Sequence, residues 1–526
     1  MDRGSGRGIG RGRWGALLVV GLALLLIAYA AWLRLGGDPA PPESSESSET
    51  GPETEATPAD PSQRPDAEAK PGRTGFPRAP ETDDPALEAA LSEPVEDSVY
   101  PAVGDPGVDA LHYALNLTWD PTTATLTGRE RIVVRATSDA DHLQFDFAAP
   151  LEATRVLVDG EAVTTRHTGK DLVILTDVTA DSRHTVEINY TGQPRPVDAP
   201  TERGDITSLG WTVTDTGETW TMQEPFGAYS WYAVNDQPAD KALYDFRLTA
   251  PDPLVGVANG EHTDSSTAGG RTTQDWHLAD PASSYLVTVA FGDFQRTDGV
   301  TDSGTPVTWW TPRDDPSTLR DLRRIIPAMA WSEERLGPYP WPTLNLVMVD
   351  SESAMETQST ITFGNNSYIR SPEVLLHELI HQWYGDLVTP RDWRDVWLNE
   401  GMTMYLQGVW EAEREGISLD RKMNNWASFE PDLRREAGPP GAYDAELFGS
   451  GNIYYGPALM WHELRGQVGD EVFWQIVKEW PRSRTDAHFG ATRDDLYAFV
   501  EEATGRELTA FFDAWVMGQL TPTRTP

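Results

Sequence analysis

Residues 371–401 read SPEVLLHELIHQWYGDLVTPRDWRDVWLNEG, and the architecture of the chain can be worked out from here. Ser371 suits a helix N-cap, Pro372 suits the first helical position, and Gly385 is a stop signal. The segment between them predicts a helix that carries His377-Glu378-Leu379-Ile380-His381. Residues four apart share a helix face, so His377 and His381 can reach one ion, with Glu378 beside them. Two neutral imidazoles and a carboxylate suit zinc and leave a coordination position open for water. Glu400 follows His381 after 18 intervening residues. A second helix returning past the first would deliver it as the third ligand.

The run HELIHQWYGDLVTPRDWRDVWLNEG, 377–401, resembles the zinc-binding signature of the gluzincin aminopeptidases, the family of aminopeptidase N and leukotriene-A hydrolase. The resemblance implies one zinc ion per chain, held by His377, His381 and Glu400, with Glu378 as general base. The chemistry agrees independently. Bound zinc acidifies water and polarises a carbonyl, and a carboxylate in reach moves the water's proton to the leaving amine.

An HExxH motif alone does not separate exopeptidases from endopeptidases. Ser353-Ala354-Met355-Glu356-Thr357 resembles the family's GAMEN motif, which implies that the strand edge at Ala354 and Met355 binds substrate backbone and that Glu356 grips the free α-ammonium. Ser353 replaces the usual Gly and Thr357 the usual Asn. Thr221-Met222-Gln223-Glu224-Pro225 resembles the family's TQxEP segment, placing Glu224 beside Glu356, with Met222 where Gln is usual. WYAVNDQPADKALYDFRL, 231–248, is similar to its continuation. Downstream, Tyr454-Tyr455-Gly456-Pro457-Ala458 opens a helix. The resemblance implies that Tyr454 donates to the tetrahedral intermediate, while the local Gly-Pro leaves Tyr455 open. His462 reads as structural. Asp386, Asp392 and Asp395 are candidate partners for the outer nitrogens of the ligating histidines.

Around these motifs the chain organises into zones. Met1–Arg13 is a basic tail, 1–13, and 14–33 is a run of twenty uncharged residues, long enough to span a bilayer. The arginines on its N-terminal side predict a single-pass signal anchor with the catalytic part outside the cell membrane. The alternative is secretion after cleavage near Ala28-Tyr29-Ala30. Residues 34–98 are rich in Pro, Ser, Thr and Glu, and predict a disordered acidic linker. Short β-branched runs separated by Gly, Asp and Pro fill 99–298 and predict an all-β domain without helices of useful length. From 299 to 526, two strands flank a helix around 317–336, an ITFGNNSYI strand follows, and amphipathic helices then dominate. The fold class is therefore multidomain, β plus α+β. The resemblance implies a saddle-like N-terminal β domain followed by a thermolysin-like, mostly helical catalytic domain. It runs from about Tyr113 to Trp515, in a short form without the family's large C-terminal helical domain.

The chain has 42 basic and 82 acidic residues, a net charge of −40, and no cysteine. Such a balance speaks against nucleic acid as a partner. The cysteine count excludes disulfides, thiolate catalysis and thiolate zinc ligands. The expected function is a zinc aminopeptidase acting on peptides with a free N-terminus. The alternatives are a zinc endopeptidase or other hydrolase on the same scaffold, and a noncatalytic peptide-binding scaffold.

Overall fold

The computed structural model describes residues 79–483 and 490–524. The expected tail 1–13, the span 14–33 and the greater part of the expected linker lie outside them. Among the described residues no helix is long and apolar enough to cross a membrane.

Where the expected linker enters the described residues, it is folded. Pro85–Ala90 form a 3-10 helix whose first turn is capped by the Asp84 carboxylate. Leu87 and Ala90 bury against Leu111, Val133 and Leu243. Asp97 accepts the backbone N–H groups of Val99 and Tyr100. The linker expectation over 34–98 therefore fails from Ala79 onward. Composition averaged over a long acidic stretch conceals two apolar side chains that one turn of helix places on a common face.

The β domain is built on an eight-stranded sheet. Its central strand, Val108–Asp120, pairs antiparallel with Thr125–Ala136 and parallel with Lys241–Pro251. Thr125–Ala136 alternates between the core and the outer face, as a half-buried strand must. Tyr113 and Tyr244 lie in register and stack with ring centroids 5.0 Å apart. A five-stranded and a three-stranded sheet complete the domain. One hairpin of the five-stranded sheet ends in Thr219–Met222 and aims the following loop, with Glu224, at the catalytic half.

The catalytic sheet has five strands in the order Phe294–Val300, Pro306–Pro312, Leu344–Val349, Thr360–Gly364 and Ala354–Met355. Phe294–Val300 pairs along its whole length with Pro306–Pro312, so the boundary expected at 298/299 cuts through a strand of this sheet. The single helix expected around 317–336 is two, Pro316–Leu322 and Ile325–Leu336. The ITFGNNSYI strand stops at Gly364, where Asn366 turns the chain by accepting the N–H groups of Tyr368 and Ile369. Three helices then carry the site residues: Pro372–His381, Trp397–Glu415 and Asn452–Val468, each packed on the next.

Candidate metal centre

Ser371 caps the first of these helices by accepting the Val374 N–H, and Pro372 occupies its first turn. The helix closes at His381, short of Gly385. His377 and His381 lie one turn apart with ring centroids separated by 4.8 Å. The Trp397–Glu415 helix brings Glu400 against them. Its Oε2 is 3.3 Å from His377 Nε2 and 3.4 Å from His381 Nε2.

The outer nitrogens decide what this arrangement can hold. His377 Nδ1 lies 2.9 Å from Gln407 Oε1, and Gln407 Nε2 in turn donates to Glu411 Oε1, which fixes the amide's orientation. His381 Nδ1 lies 2.9 Å from the Tyr384 carbonyl. Both Nδ1 atoms face acceptors and so carry the proton, which leaves a lone pair on each Nε2. When both imidazoles are neutral, two Nε2 lone pairs and a carboxylate oxygen converge with no donor between them. Glu400 Oε2 is buried without a hydrogen bond. Such a trio is stable around a cation, and its composition fits zinc. With no cation present, protons take its place. Burial opposes ionisation of Glu400, but His381 and His377 outweigh it and hold the carboxyl well below its usual range. Burial likewise opposes a charge on His381, yet Glu356 and Glu400 raise it well above the ordinary histidine value, so a bound cation displaces a proton from this site.

A second trio shares Glu400. Carboxylate oxygens of Glu224, Glu356 and Glu400 lie within 4.8 Å of one another. Glu224 Oε1 and Glu356 Oε1 are buried without hydrogen-bond partners. Both loops are fixed from behind. Gln223 donates to the Ser284 and Val287 carbonyls at 2.8 and 2.7 Å. Gln382, one residue past the histidine helix, donates to the Glu356 carbonyl and accepts the Ser359 N–H, both at 2.8 Å. Without a cation among them, burial raises the carboxyls of Glu224, Glu356 and Glu378. This concentration of buried, unpaired carboxylate demands a positive group.

Ala354 and Met355 form the edge strand beside Glu356, paired with Phe363 and Thr362. Tyr454 lies beside the metal trio, its ring centroid 6.2 Å from that of His377. Burial raises its pKa, and the charge of Glu400 adds to the effect, so the phenol keeps its proton. Tyr455 instead packs edge-on against Trp426 and Phe429. His462 pairs with Asp420 at 3.1 Å, away from the trio.

None of the three aspartates takes the outer-partner place. Asp392 accepts the Arg394 N–H, Asp395 accepts the Arg493 N–H, and both Asp386 oxygens are buried without a hydrogen bond. The role falls to Gln407 and to the Tyr384 carbonyl. Gln407 is seven residues after Glu400 on one helix, a spacing that puts both on one face. Sequence reasoning also misses Arg203, which approaches Tyr454 from the β domain.

Comparison with known proteins gives the geometry a context. The Peptidase M1 N-terminal domain matches residues 109–286, and the Peptidase family M1 domain matches residues 321–515. Aminopeptidase N of Acetobacter pasteurianus is 27% identical over 322 residues, covering 56% of this chain and 88% of that protein. Aminopeptidase 2 of Candida albicans is 24% identical over 446 residues, covering 78% of this chain and 47% of its own length. Aminopeptidase M1-C of Oryza sativa subsp. japonica is 24% identical over 329 residues, 57% of this chain and 37% of that protein. The chain thus matches well under half of the rice relative's length. An M1 zinc metallopeptidase from Deinococcus radiodurans has the same fold, with a TM-score of 0.70 and 24% identity over 82% of this chain and 99% of that one.

Proposed function

The chain belongs to the gluzincin aminopeptidases, peptidase family M1, and from that premise we propose that it hydrolyses the N-terminal peptide bond of peptides at a bound zinc ion. The observation that carries this reading is the convergence of two Nε2 lone pairs and the Glu400 carboxylate, flanked by the unpaired Glu224 and Glu356.

His377, His381 and Glu400 would hold the ion. When bound, zinc supplies an acidified water and a Lewis acid for the scissile carbonyl. Glu378 accepts the water's proton and returns it to the leaving amine. Glu224 and Glu356 receive the substrate's α-ammonium, so the cleaved bond is counted from the chain end. A blocked N-terminus leaves these two carboxylates buried and unpaired, which penalises it by orders of magnitude. The edge strand Ala354–Met355 offers backbone groups to an extended substrate. Tyr454 keeps its proton and donates to the carbonyl oxygen as that oxygen gains charge. Export and anchoring through 14–33 belong to the same reading. Support for them is the uncharged run behind a basic tail, and alkaline extraction of membranes carrying the full chain or a deletion of 14–33 tests them.

The decisive assay measures release of the first residue from aminoacyl amides and their N-acetylated counterparts, with and without chelator. Activity confined to free amines, abolished by chelator and lowered about 100-fold or more in Glu378→Ala, is the expected result. Equal cleavage of acetylated substrates would move the chain to the endopeptidases. Zinc bound without turnover of any substrate would favour a noncatalytic scaffold.

A further inference from the structure

The loop between strands Val197–Asp198 and Ser208–Val213 belongs to the β domain but reaches the reacting end of the site. Its Pro200 carbonyl accepts the Phe448 N–H at 2.9 Å, which seats the loop on the turn before the tyrosine helix. Arg203 then runs over Gly449. That residue has a φ of +72°, and a Cβ there would stand 3.3 Å from Arg203 Nη1 and 3.4 Å from its Cδ. The guanidinium ends beside Tyr454, with Nη1 donating to the phenol oxygen across 3.4 Å. Asp205 grips it in a two-point pair, Nε to Oδ1 at 3.1 Å and Nη2 to Oδ2 at 2.6 Å. Asp205 Oδ2 also accepts from Ser353 Oγ at 3.3 Å. Ser353 is the residue that stands where the related motif has glycine. A continuous chain, Ser353–Asp205–Arg203–Tyr454, thus joins the substrate strand to the tyrosine.

We propose that Arg203, held by Asp205 and Ser353, is a positioning residue for Tyr454 that keeps the phenol's own hydrogen turned toward the substrate carbonyl. This rests on the role given to Tyr454 above. A guanidinium can only donate, whereas a phenol has one hydrogen and an accepting oxygen. With a fixed donor on that oxygen, the phenol hydrogen must point elsewhere, into the site where its acceptors lie. The two-point pair with Asp205 sets the plane of the guanidinium, which an ammonium on a flexible stem would not reproduce. Ser353 gains a function that glycine cannot supply, because its hydroxyl closes the chain on Asp205. Arg203 acts on the reaction through Tyr454 alone.

A double-mutant cycle on the full chain tests this. It uses wild type, Arg203→Met, Tyr454→Phe and the double variant, with an aminoacyl amide as substrate and zinc content checked for each. Arg203→Met should lower kcat about 10- to 100-fold, as loss of a charged hydrogen bond does, with KM within about threefold. In the Tyr454→Phe background it should cost less than about twofold. Asp205→Asn and Ser353→Ala should give smaller losses of the same kind, and Arg203→Lys should retain more activity than Arg203→Met. If Arg203→Met impairs folding, Arg203→Lys and Asp205→Asn take its place in the cycle. Multiplicative losses, or a rise in KM alone, would overturn the inference while leaving the aminopeptidase intact. A wild type without chelator-sensitive activity would overturn the functional reading, and this inference with it.

Discussion

His377 and His381 are steadied at their outer nitrogens by unlike groups, a side-chain amide and a backbone carbonyl. The backbone contact survives any substitution of side chain, so Gln407 is the point at which the centre can be loosened. Gln407→Leu should weaken zinc binding about 10- to 100-fold, measured by competition with a chromogenic chelator. Gln407→Glu offers His377 a more basic partner but sets a second carboxylate against Glu411, so it should bind zinc at least as tightly as wild type only when combined with Glu411→Gln. At this scale much of the site was legible. The helix spacing of His377, Glu378 and His381 is local, and so is the arrival of Glu400 on a following helix. Outer partners were not legible by nearness in sequence. Asp392 spends its oxygens on the Arg394 N–H of its own turn and on Ser98, and Asp395 on the N–H of Arg493, 98 positions away, whereas Gln407 is reached only by following the helical face two turns past Glu400.

Among the elements, the glutamate and tyrosine helices set the distance between ligand and phenol. They meet at Gly401, next to Glu400, where a Cβ would fall 2.3 Å from Pro457 Cβ. Gly401→Ala must push Trp397–Glu415 away from Asn452–Val468. The expected cost is about 1–3 kcal/mol in urea unfolding, with a fall in kcat as Glu400 and Tyr454 move apart. An unchanged kcat would show that the two helices adjust without shifting the site. Elements with local signals were foreseen: the Ser371 cap, the Pro372 start, the short alternating strands of the β domain. Elements defined by partners were not. Phe294–Val300 joins the catalytic sheet because Pro306–Pro312 pairs with it. Pro85–Ala90 is ordered because Leu111, Val133 and Leu243 offer it a surface.

Across the whole molecule, Lys241 ties the two halves together. It opens a central strand of the β domain, and its Nζ donates to the Asp386 carbonyl at 2.9 Å, in the loop after the histidine helix. Burial lowers its pKa to about 8, although Asp386 works the other way. Below that pH the folded protein pays for a buried ammonium. Between about pH 8 and the ordinary lysine value near 10.4, the unfolded chain binds the extra proton, so wild-type stability rises with pH. Relative to Lys241→Met, the wild type should gain on the order of 3 kcal/mol across that window. Denaturant unfolding of both proteins at pH 7.5 and pH 10 measures it, and a constant difference would remove Lys241 from the account. Sequence alone was enough for the ligand helix and the order of a β-rich and a helical domain, and, through resemblance to known motifs, for the family and the pairing of Glu224 with Glu356. The ligand helix and the strands are written in short-range spacing, where a few residues fix the face of a helix or the edge of a strand. Tertiary structure alone decided that Tyr454 rather than Tyr455 meets the metal trio, that Gln407 backs His377, and that Arg203 crosses from the β domain to the phenol. Those contacts join residues tens to hundreds of positions apart, and they exist only where packed helices and a docked loop bring the side chains within hydrogen-bond reach.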